Sequence, residues 1–352
     1  KTLFPYTTLF RSVASFVIGL FVVVFVIANA QNSYAQDFHY SQFMYSPGNL
    51  GPGYIGTMSG DLRIAANHRR QWASVTVPYQ TFSIGADQKL ETYTSQLKNW
   101  SAGILINHDK AGDGVLSILN ASLAAAYKLS LDKDSIYSLS GGISLGYSQK
   151  SIDFNKLTFD NQFDGDIYVP GSATGENPDN TKLSNIDIGT GISLLKSGPK
   201  YNLNLGMQLR HLNRPDQNMY NGEAVPQSIF SQYFAQVFYP LNNNLVLQPA
   251  VQYSIQSKFT EFVIGSEMKL ILKNETTSRY ALTGGIFLRN KDAIIPSVAV
   301  DYNKFRIGFS YDINISNLKT ASNGKGGPEI SLTYQSMKIK SKTQHKIVCP
   351  IY

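Results

Sequence analysis

A strict alternation of apolar and polar residues is the feature that most limits what this chain can fold into. The segment that begins at Tyr201 reads YNLNLGMQLRH, with tyrosine, leucine and methionine at every second position. Successive side chains of a β-strand point to opposite faces of its sheet, so this segment has one apolar and one polar face. The polar face carries mainly glycine, asparagine and glutamine rather than a fringe of lysine and glutamate. We therefore expect strands whose apolar face meets lipid and whose polar face lines an enclosed interior.

About fourteen segments show this pattern, and most are longer than the strands of soluble proteins. They lie near 61–70, 78–88, 98–108, 116–129, 136–148, 183–195, 201–211, 229–239, 244–256, 261–272, 279–289, 293–302, 304–312 and 327–337. Strands of soluble sheets cluster near five or six residues, whereas a tilted strand needs about 9–11 residues to cross a membrane. Only 16% of the residues are charged, against about 25% in soluble domains. The pattern predicts an all-β protein, a transmembrane antiparallel β-barrel of about 14 strands over 61–337.

The start of the chain predicts a cleaved signal peptide and, before it, a foreign segment. Residues 16–28 form an apolar run of 13 residues, followed by small residues, which is typical of a signal peptide over 13–35. A transmembrane helix would need about 20 apolar residues. Residues 1–12 resemble the translation of a widely used sequencing-library adapter, so we expect them to be a sequencing artefact rather than part of the natural protein.

Loop lengths indicate which end of the barrel faces outward. Residues 36–60 are rich in proline and glycine, which predicts a turn-rich N-terminal segment on the periplasmic side. From that start odd-numbered strands run outward, and the three longest connections all follow odd-numbered strands. These connections are 149–182, 212–228 and 313–326. Outer-membrane barrels have long outer loops and short periplasmic turns. The basic tail, 338–352, then also falls on the periplasmic side. We expect a protein of the Gram-negative outer membrane with both termini periplasmic.

No pattern of catalytic or metal-ligating residues stands out. The five histidines are scattered over unrelated segments, and none has a metal-ligand spacing such as H-E-x-x-H. No G-x-S-x-G nucleophile elbow stands between a strand and a helix. We therefore expect no enzyme activity, no metal and no cofactor. The formal charge of +7 comes largely from the tail and the foreign start, so it does not predict nucleic-acid binding.

Three groups of residues are candidates for partner contact. They are Arg70, Gln71 and Trp72; His211, Asn213, Arg214 and Pro215; and Cys349 and Pro350. The first group ends the first predicted strand, the second follows the strand near 201–211, and the third lies in the tail. For the first two groups, a rim cluster with Trp72 held in the membrane interface is as good an interpretation as partner contact. For Cys349, burial as a small hydrophobic residue is favoured over a reactive thiol or a docking residue.

Several short motifs follow one another along the chain. They are Gln36-Asp37 with Ser41-Gln42-Phe43-Met44, the stretch from Pro47 to Gly56, Arg70-Gln71-Trp72, His211-Leu212-Asn213-Arg214-Pro215, Tyr311-Asp312, Glu329-Ile330-Ser331-Leu332 and Cys349-Pro350. In this order, on a barrel pattern behind a signal peptide, they resemble the PorP/SprF membrane proteins of the type IX secretion system, found in Bacteroidetes. Ser46, Gly51 and Gly53 depart from the family pattern, which usually has Asn, Asn and Ala there. The ending Ile351-Tyr352 also departs from it.

The resemblance implies an outer-membrane barrel without catalytic activity that supports export or surface attachment of particular secreted proteins, including gliding adhesins. The partners it implies are a secreted cargo protein or adhesin, periplasmic and outer-membrane components of the machinery, and outer-membrane lipid. A passive porin or small-solute channel is the main alternative, and an outer-membrane hydrolase is a third with no nucleophile to nominate. Inward positions read mainly as glycine, serine, asparagine and glutamine, whereas a diffusion porin is expected to carry a ring of lumenal charges. The secretion component is therefore the favoured interpretation.

Overall fold

The computed structural model describes most of the chain between residues 37 and 336. The described ranges are 37–73, 77–92, 97–112, 116–169, 171–172, 174–175, 181–220, 222–274, 279–317 and 319–336. The adapter-like start, the predicted signal peptide and the basic tail with Cys349 and Pro350 lie outside them, so those expectations stay predictions.

Fourteen antiparallel strands form one closed barrel, in which each strand pairs with its neighbours in sequence and β1 pairs with β14. The strands are β1 (Leu62–Gln71), β2 (Tyr79–Lys89), β3 (Trp100–Ala111), β4 (Leu116–Ser130), β5 (Tyr137–Ser151), β6 (Lys182–Ser197), β7 (Asn202–Arg210), β8 (Phe230–Pro240), β9 (Leu245–Gln256), β10 (Phe259–Asn274), β11 (Arg279–Arg289), β12 (Ala293–Tyr302), β13 (Phe305–Asn314) and β14 (Lys325–Ser336). The predicted fold class and strand number are confirmed.

Helical structure in the described residues is limited to single turns. Six 3-10 helices and one short α-helix span Phe43–Tyr45, Pro47–Leu50, Pro52–Tyr54, Leu90–Thr92, Phe154–Lys156, Asp160–Gln162 and, for the α-helix, Lys319–Ser322. None of the helices in these ranges is long and apolar enough to span a membrane.

The outer surface of the barrel is apolar along the middle of its strands. Leu123, Ile143 and Ile286 are each more than 60% exposed to the surroundings, although large aliphatic side chains are normally buried in a soluble protein. Aromatic pairs lie where strands end: the rings of Trp100 and Tyr127 are 5.2 Å apart. An apolar band with aromatic residues at its border is the outer surface of a membrane barrel.

The two ends of the barrel differ in loop length. We call the end where β7 stops and β8 begins the long-loop end, because it carries the connections 152–181, 211–229 and 315–324. The opposite end, where β1 begins and β14 stops, is the short-loop end. Its connection 90–99 is as long as 315–324, so the asymmetry rests on the first two loops. The expectation that the long-loop end faces the outside stays a prediction.

Residues 37–60 lie inside the barrel, and we call them the plug. From the sequence we expected this stretch to be turn-rich and periplasmic. It is turn-rich, with three of the 3-10 helices, but Phe43, Leu50 and Tyr54 are buried against inward side chains of the wall such as Phe234 and Phe287. Alternation predicts an enclosed interior, but it does not reveal which part of the chain fills that interior.

The plug runs the full length of the lumen. Asp37 lies beside His211 at the long-loop end, and a side chain at Gly60 would meet the backbone of Ser336 at the short-loop end. The described chain therefore starts and stops at opposite ends of the barrel. The two termini themselves lie outside the described residues, so the expectation that both are periplasmic stays a prediction.

The orientation of the barrel is testable with single cysteines, because the chain has only one natural cysteine. In a Cys349→Ser background, we expect Glu223→Cys in the 211–229 loop to react with a membrane-impermeant maleimide on intact cells. Asp134→Cys, in the short connection between β4 and β5, should react only after the outer membrane is opened. The reverse labelling pattern would contradict the predicted orientation.

Candidate functional site

The plug is fixed to the wall first through its Ser41-Gln42 dipeptide. The two carboxylate oxygens of Glu329 on β14 accept hydrogen bonds from the backbone N–H of Ser41 at 2.7 Å and of Gln42 at 2.9 Å. The Gln42 side chain donates to the Glu329 carbonyl at 3.0 Å and accepts from the Ser331 hydroxyl at 2.8 Å. This pairing gives the plug a defined register along β14, because strand positions alternate between the lumen and the lipid.

Two buried arginines meet one aspartate beside that dipeptide. Asp312 accepts from Arg69 at 2.6 Å, from Arg289 at 2.8 Å and from the Ser41 hydroxyl at 2.7 Å. Arg69 also donates to the backbone carbonyl of His39 at 2.7 Å, and Arg289 donates to the Ser41 hydroxyl at 2.6 Å. Both arginines are almost fully buried, so these charge-assisted hydrogen bonds are poorly screened. The anchor cluster consists of Ser41, Arg69, Arg289, Asp312 and Glu329.

A second attachment lies halfway along the lumen. The Tyr45 hydroxyl donates to Glu267 on β10 and accepts from Arg306 on β13. The Arg306 guanidinium also lies 4.2 Å from the centre of the Tyr45 ring, which is a cation–π distance. Asp301 accepts a hydrogen bond from Arg306 at 2.8 Å. The positive charge of Arg306 is therefore balanced by the carboxylates of Glu267 and Asp301.

Glycines let the plug backbone touch the wall directly near the middle of the barrel. A Cβ built on Gly53 would lie 2.6 Å from the backbone of Gly191 on β6. A Cβ on Gly142 of β5 would overlap the carbonyl oxygen of Pro52. No other residue type fits such approaches without a backbone shift. The wall therefore fits the plug in two ways: glycines leave room for the plug backbone, and charged side chains bind it.

A third attachment holds the plug where it turns into β1. Arg63 and Asp87 form a bidentate pair with both N···O distances at 2.9 Å. Arg63 also donates to the Tyr54 carbonyl at 3.3 Å, and Asp87 accepts from the backbone of Gly56 at 2.8 Å. These contacts close the short-loop end of the plug onto β1 and β2.

The first described residue of the plug is held at the long-loop end. His211 lies between Asp37, at 2.8 Å, and Asp187, at 2.9 Å, and Arg210 lies 2.9 Å from Asp37. Burial opposes protonation of His211, but the two carboxylates outweigh it and raise its pKa to about 9. Burial also opposes ionisation of Asp37, but His211 and Arg210 outweigh it and hold the pKa of Asp37 below its usual range. His211 and Asp37 are therefore both charged at neutral pH. We call the ion-paired group of Asp37, Asp187, Arg210 and His211 the charged clamp.

The candidates at the end of β1 lie on the rim rather than in the lumen. Arg70 is exposed, Gln71 is half-buried, and Trp72 packs edge-on against Tyr79 with ring centroids 4.8 Å apart. The residue that reaches the plug is the neighbouring Arg69, which points inward because strand side chains alternate. Contact of Arg70, Gln71 and Trp72 with a partner stays a prediction.

The second group of candidates forms the turn that positions His211. The Asn213 side chain donates to the Ile186 carbonyl at 2.7 Å. Arg214 is exposed and donates its backbone N–H back to the His211 carbonyl at 2.9 Å. Pro215 is buried. The structure thus brings His211 to the plug, whereas its neighbours shape the loop, and their contact with a partner stays a prediction.

Charged residues on the inward face were missed by the expectation of a mainly uncharged lumen. Eight of them point to the plug or to one another: Arg63, Arg69, Glu261, Glu267, Arg289, Arg306, Asp312 and Glu329. The sequence contained a signal for these charges. Arg63 and Arg69 are separated by an even number of positions in one strand and therefore face the same side, as do Glu261 and Glu267. These charged side chains form ion pairs with each other and hydrogen bonds with the plug. They do not form a ring around an open channel.

The described residues define a class of protein by their fold. They form a membrane-spanning β-barrel whose lumen is filled by its own N-terminal segment. Within the same residues, no group of three histidine, cysteine, aspartate or glutamate side chains is arranged to hold a metal ion. The family described as type IX secretion system membrane protein PorP/SprF matches residues 32–334. The chain belongs to this family, as its motifs indicated.

Individual proteins of known structure are only distantly similar to the chain. No curated protein matches the chain. The Ralstonia pickettii toluene transporter TbuX is 10% identical over 83% of this chain and 93% of its own, with a TM-score of 0.48. A Pseudomonas aeruginosa FadL homologue is 9% identical over 82% of this chain and 94% of its own, with a TM-score of 0.47.

The glycine contacts give a matched pair of variants on adjacent residues of β5. Gly142→Ala should loosen the plug, because its Cβ meets backbone that cannot rotate away, and overpacking costs about 1–3 kcal/mol. Gly141→Ala adds the same atom in open space. We expect a lower unfolding temperature and faster proteolysis within 37–60 for the first variant only. Equal behaviour of the two variants would contradict the tight fit.

The charged clamp predicts a loss of stability at high pH. The folded pKa of His211, about 9, lies above its ordinary value of 6.5. Its contribution, roughly 3 kcal/mol, is complete below about pH 6.5 and disappears as the pH rises through about 9. The unfolding temperature of the natural protein should therefore fall between about pH 7 and about pH 10 more steeply than that of His211→Gln. Parallel curves for the two proteins would show that His211 does not carry this dependence.

Proposed function

We propose that this protein is a non-enzymatic outer-membrane component of the type IX secretion system, which supports secretion or surface attachment of specific cargo proteins such as gliding adhesins. Family membership supplies the secretion system. The observation that favours a protein-handling role over solute passage is the plug, which contacts buried charged residues of the wall at both ends and in the middle. A lumen filled in this way favours a barrel that presents its two ends to other proteins.

We assign each end of the barrel to one kind of partner. Cargo protein or adhesin would meet the long-loop end, where Arg70, Trp72, Arg214 and the loops 152–181 and 211–229 lie. Periplasmic components of the machinery would meet the short-loop end, from which the basic tail continues. Lipid surrounds the apolar outer face. The assignment rests on the predicted orientation, with the signal peptide and the tail in their predicted places.

A passive porin or small-solute channel is the second candidate. Its support is a gap between the plug and the wall of β1 to β5, with a volume of about 50 Å³. A water molecule occupies about 30 Å³ of liquid, so this gap has room for one or two water molecules. A solute would need the plug to move, and the anchor cluster opposes that movement.

Deletion of the gene and comparison of secreted and surface proteins by mass spectrometry tests the proposal. We expect one or a few proteins to disappear from the surface or the medium and to return when the natural gene is supplied. The purified protein in a planar lipid bilayer should show no steady open conductance. An unchanged set of secreted and surface proteins together with steady conductance would replace the secretion role by the porin.

A further inference from the structure

The plug does not fill the lumen evenly at the short-loop end. Its last 3-10 helix, Pro52–Tyr54, packs against β4 to β7. The opposite side of the lumen, next to β10 to β14, is left with a cavity of about 440 Å³ whose floor includes Met44, Tyr45 and Pro47 of the plug. We call this cavity the vestibule. Its volume falls in the range of ligand sites, about 300–1,000 Å³.

The vestibule is lined by cations. Six basic side chains contribute to its wall, Arg63, Lys269, Lys273, Arg279, Lys304 and Arg306, whereas Asp301 is the acidic residue among the described lining. The deepest cations are paired, since Asp301 contacts both Lys269 and Arg306 and Asp87 holds Arg63. An excess of positive charge therefore remains toward the entrance.

Two cations at the entrance of the vestibule have no ion-pair partner among the described residues. Arg279, at the start of β11, and Lys304, in the turn between β12 and β13, are both exposed and have no ion pair with any described residue. A cleft with low-dielectric walls and one sign of charge concentrates ligands of the opposite sign. Two cations that line the same cleft and have no ion pair with a described residue point to an anionic ligand.

The chemistry of the remaining lining favours a peptide over a small ion. Gln248, Thr333 and Gln335 offer hydrogen bonds for a main chain, and Phe238 offers apolar contact. The chain's own continuation, 337–352, has four lysines and no acidic residue, so its charge does not complement the vestibule. The occupant that the charge of the vestibule favours is therefore a segment of another molecule.

We propose that the vestibule binds an acidic segment of a partner protein that approaches the short-loop end. The segment lies extended in the cavity, with carboxylates at Arg279 and Lys304 and its main chain along the polar side chains of β9 and β14. This site is separate from the anchor cluster, and the inference does not depend on the identity of the secreted cargo.

Peptide binding to the purified full chain in nanodiscs of neutral lipid tests the inference. We expect fluorescein-labelled hexaglutamate to bind at about 0.05 M salt, by fluorescence anisotropy, and to dissociate at about 0.5 M salt. The double variant Arg279→Gln/Lys304→Gln should bind about five- to tenfold more weakly, from the ordinary strength of two exposed ion pairs. The matched control Lys182→Gln/Lys291→Gln removes two exposed lysines at the long-loop end and should bind as the natural protein does.

Three results would overturn the inference. These are absence of hexaglutamate binding at low salt, equal affinities of the two double variants, and displacement of the peptide by inorganic phosphate at the same concentration as by unlabelled hexaglutamate. The last result would identify a small-anion site instead. Heat-modified mobility on gels shows whether each variant contains a folded barrel, so a loss of binding is not mistaken for a loss of fold. None of these results bears on the secretion role.

Discussion

The pairing of Asp312 with Arg69 and Arg289 is the interaction on which the interior of this protein depends. Two guanidinium groups in a nearly dry lumen need compensating charge, and breaking one buried pair typically costs about 3–5 kcal/mol. Asp312 supplies part of it, and the arginines also donate hydrogen bonds to Ser41 and to the carbonyl of His39. The plug is therefore part of what makes the charged wall stable.

The rest of the lumen follows from that attachment. With Ser41 fixed near the long-loop end, the plug must pass Tyr45, the glycine contacts and Arg63 before it can enter β1. Glycines at Gly142 and Gly191 bring it against β5 and β6. Because it leans to that side, the opposite side stays open at the short-loop end and keeps its cations. The same packing that places the plug against β5 and β6 thus creates the vestibule.

The motifs that relate the chain to the PorP/SprF family acquire a physical meaning in this structure. Ser41, Gln42, Asp312, Glu329 and Ser331 belong to separate motifs, yet they form one hydrogen-bonded group. Other motif residues, Trp72 and Pro215, shape the long-loop rim. Much of the family signature in the described chain therefore specifies how the plug is held inside the barrel.

The barrel, about fourteen strands and the apolar face of most of them could be predicted from alternation alone, because the strand backbone enforces a period of two. Strand limits such as 279–289 and 293–302 were predicted to the residue. That 37–60 lies in the lumen, that Arg69 rather than Arg70 reaches it, and that Asp37 and Ser336 lie at opposite ends could be learned only from the folded structure. These facts depend on contacts between residues up to almost 290 positions apart, such as Ser331 with Gln42, and local alternation carries no information about such pairs.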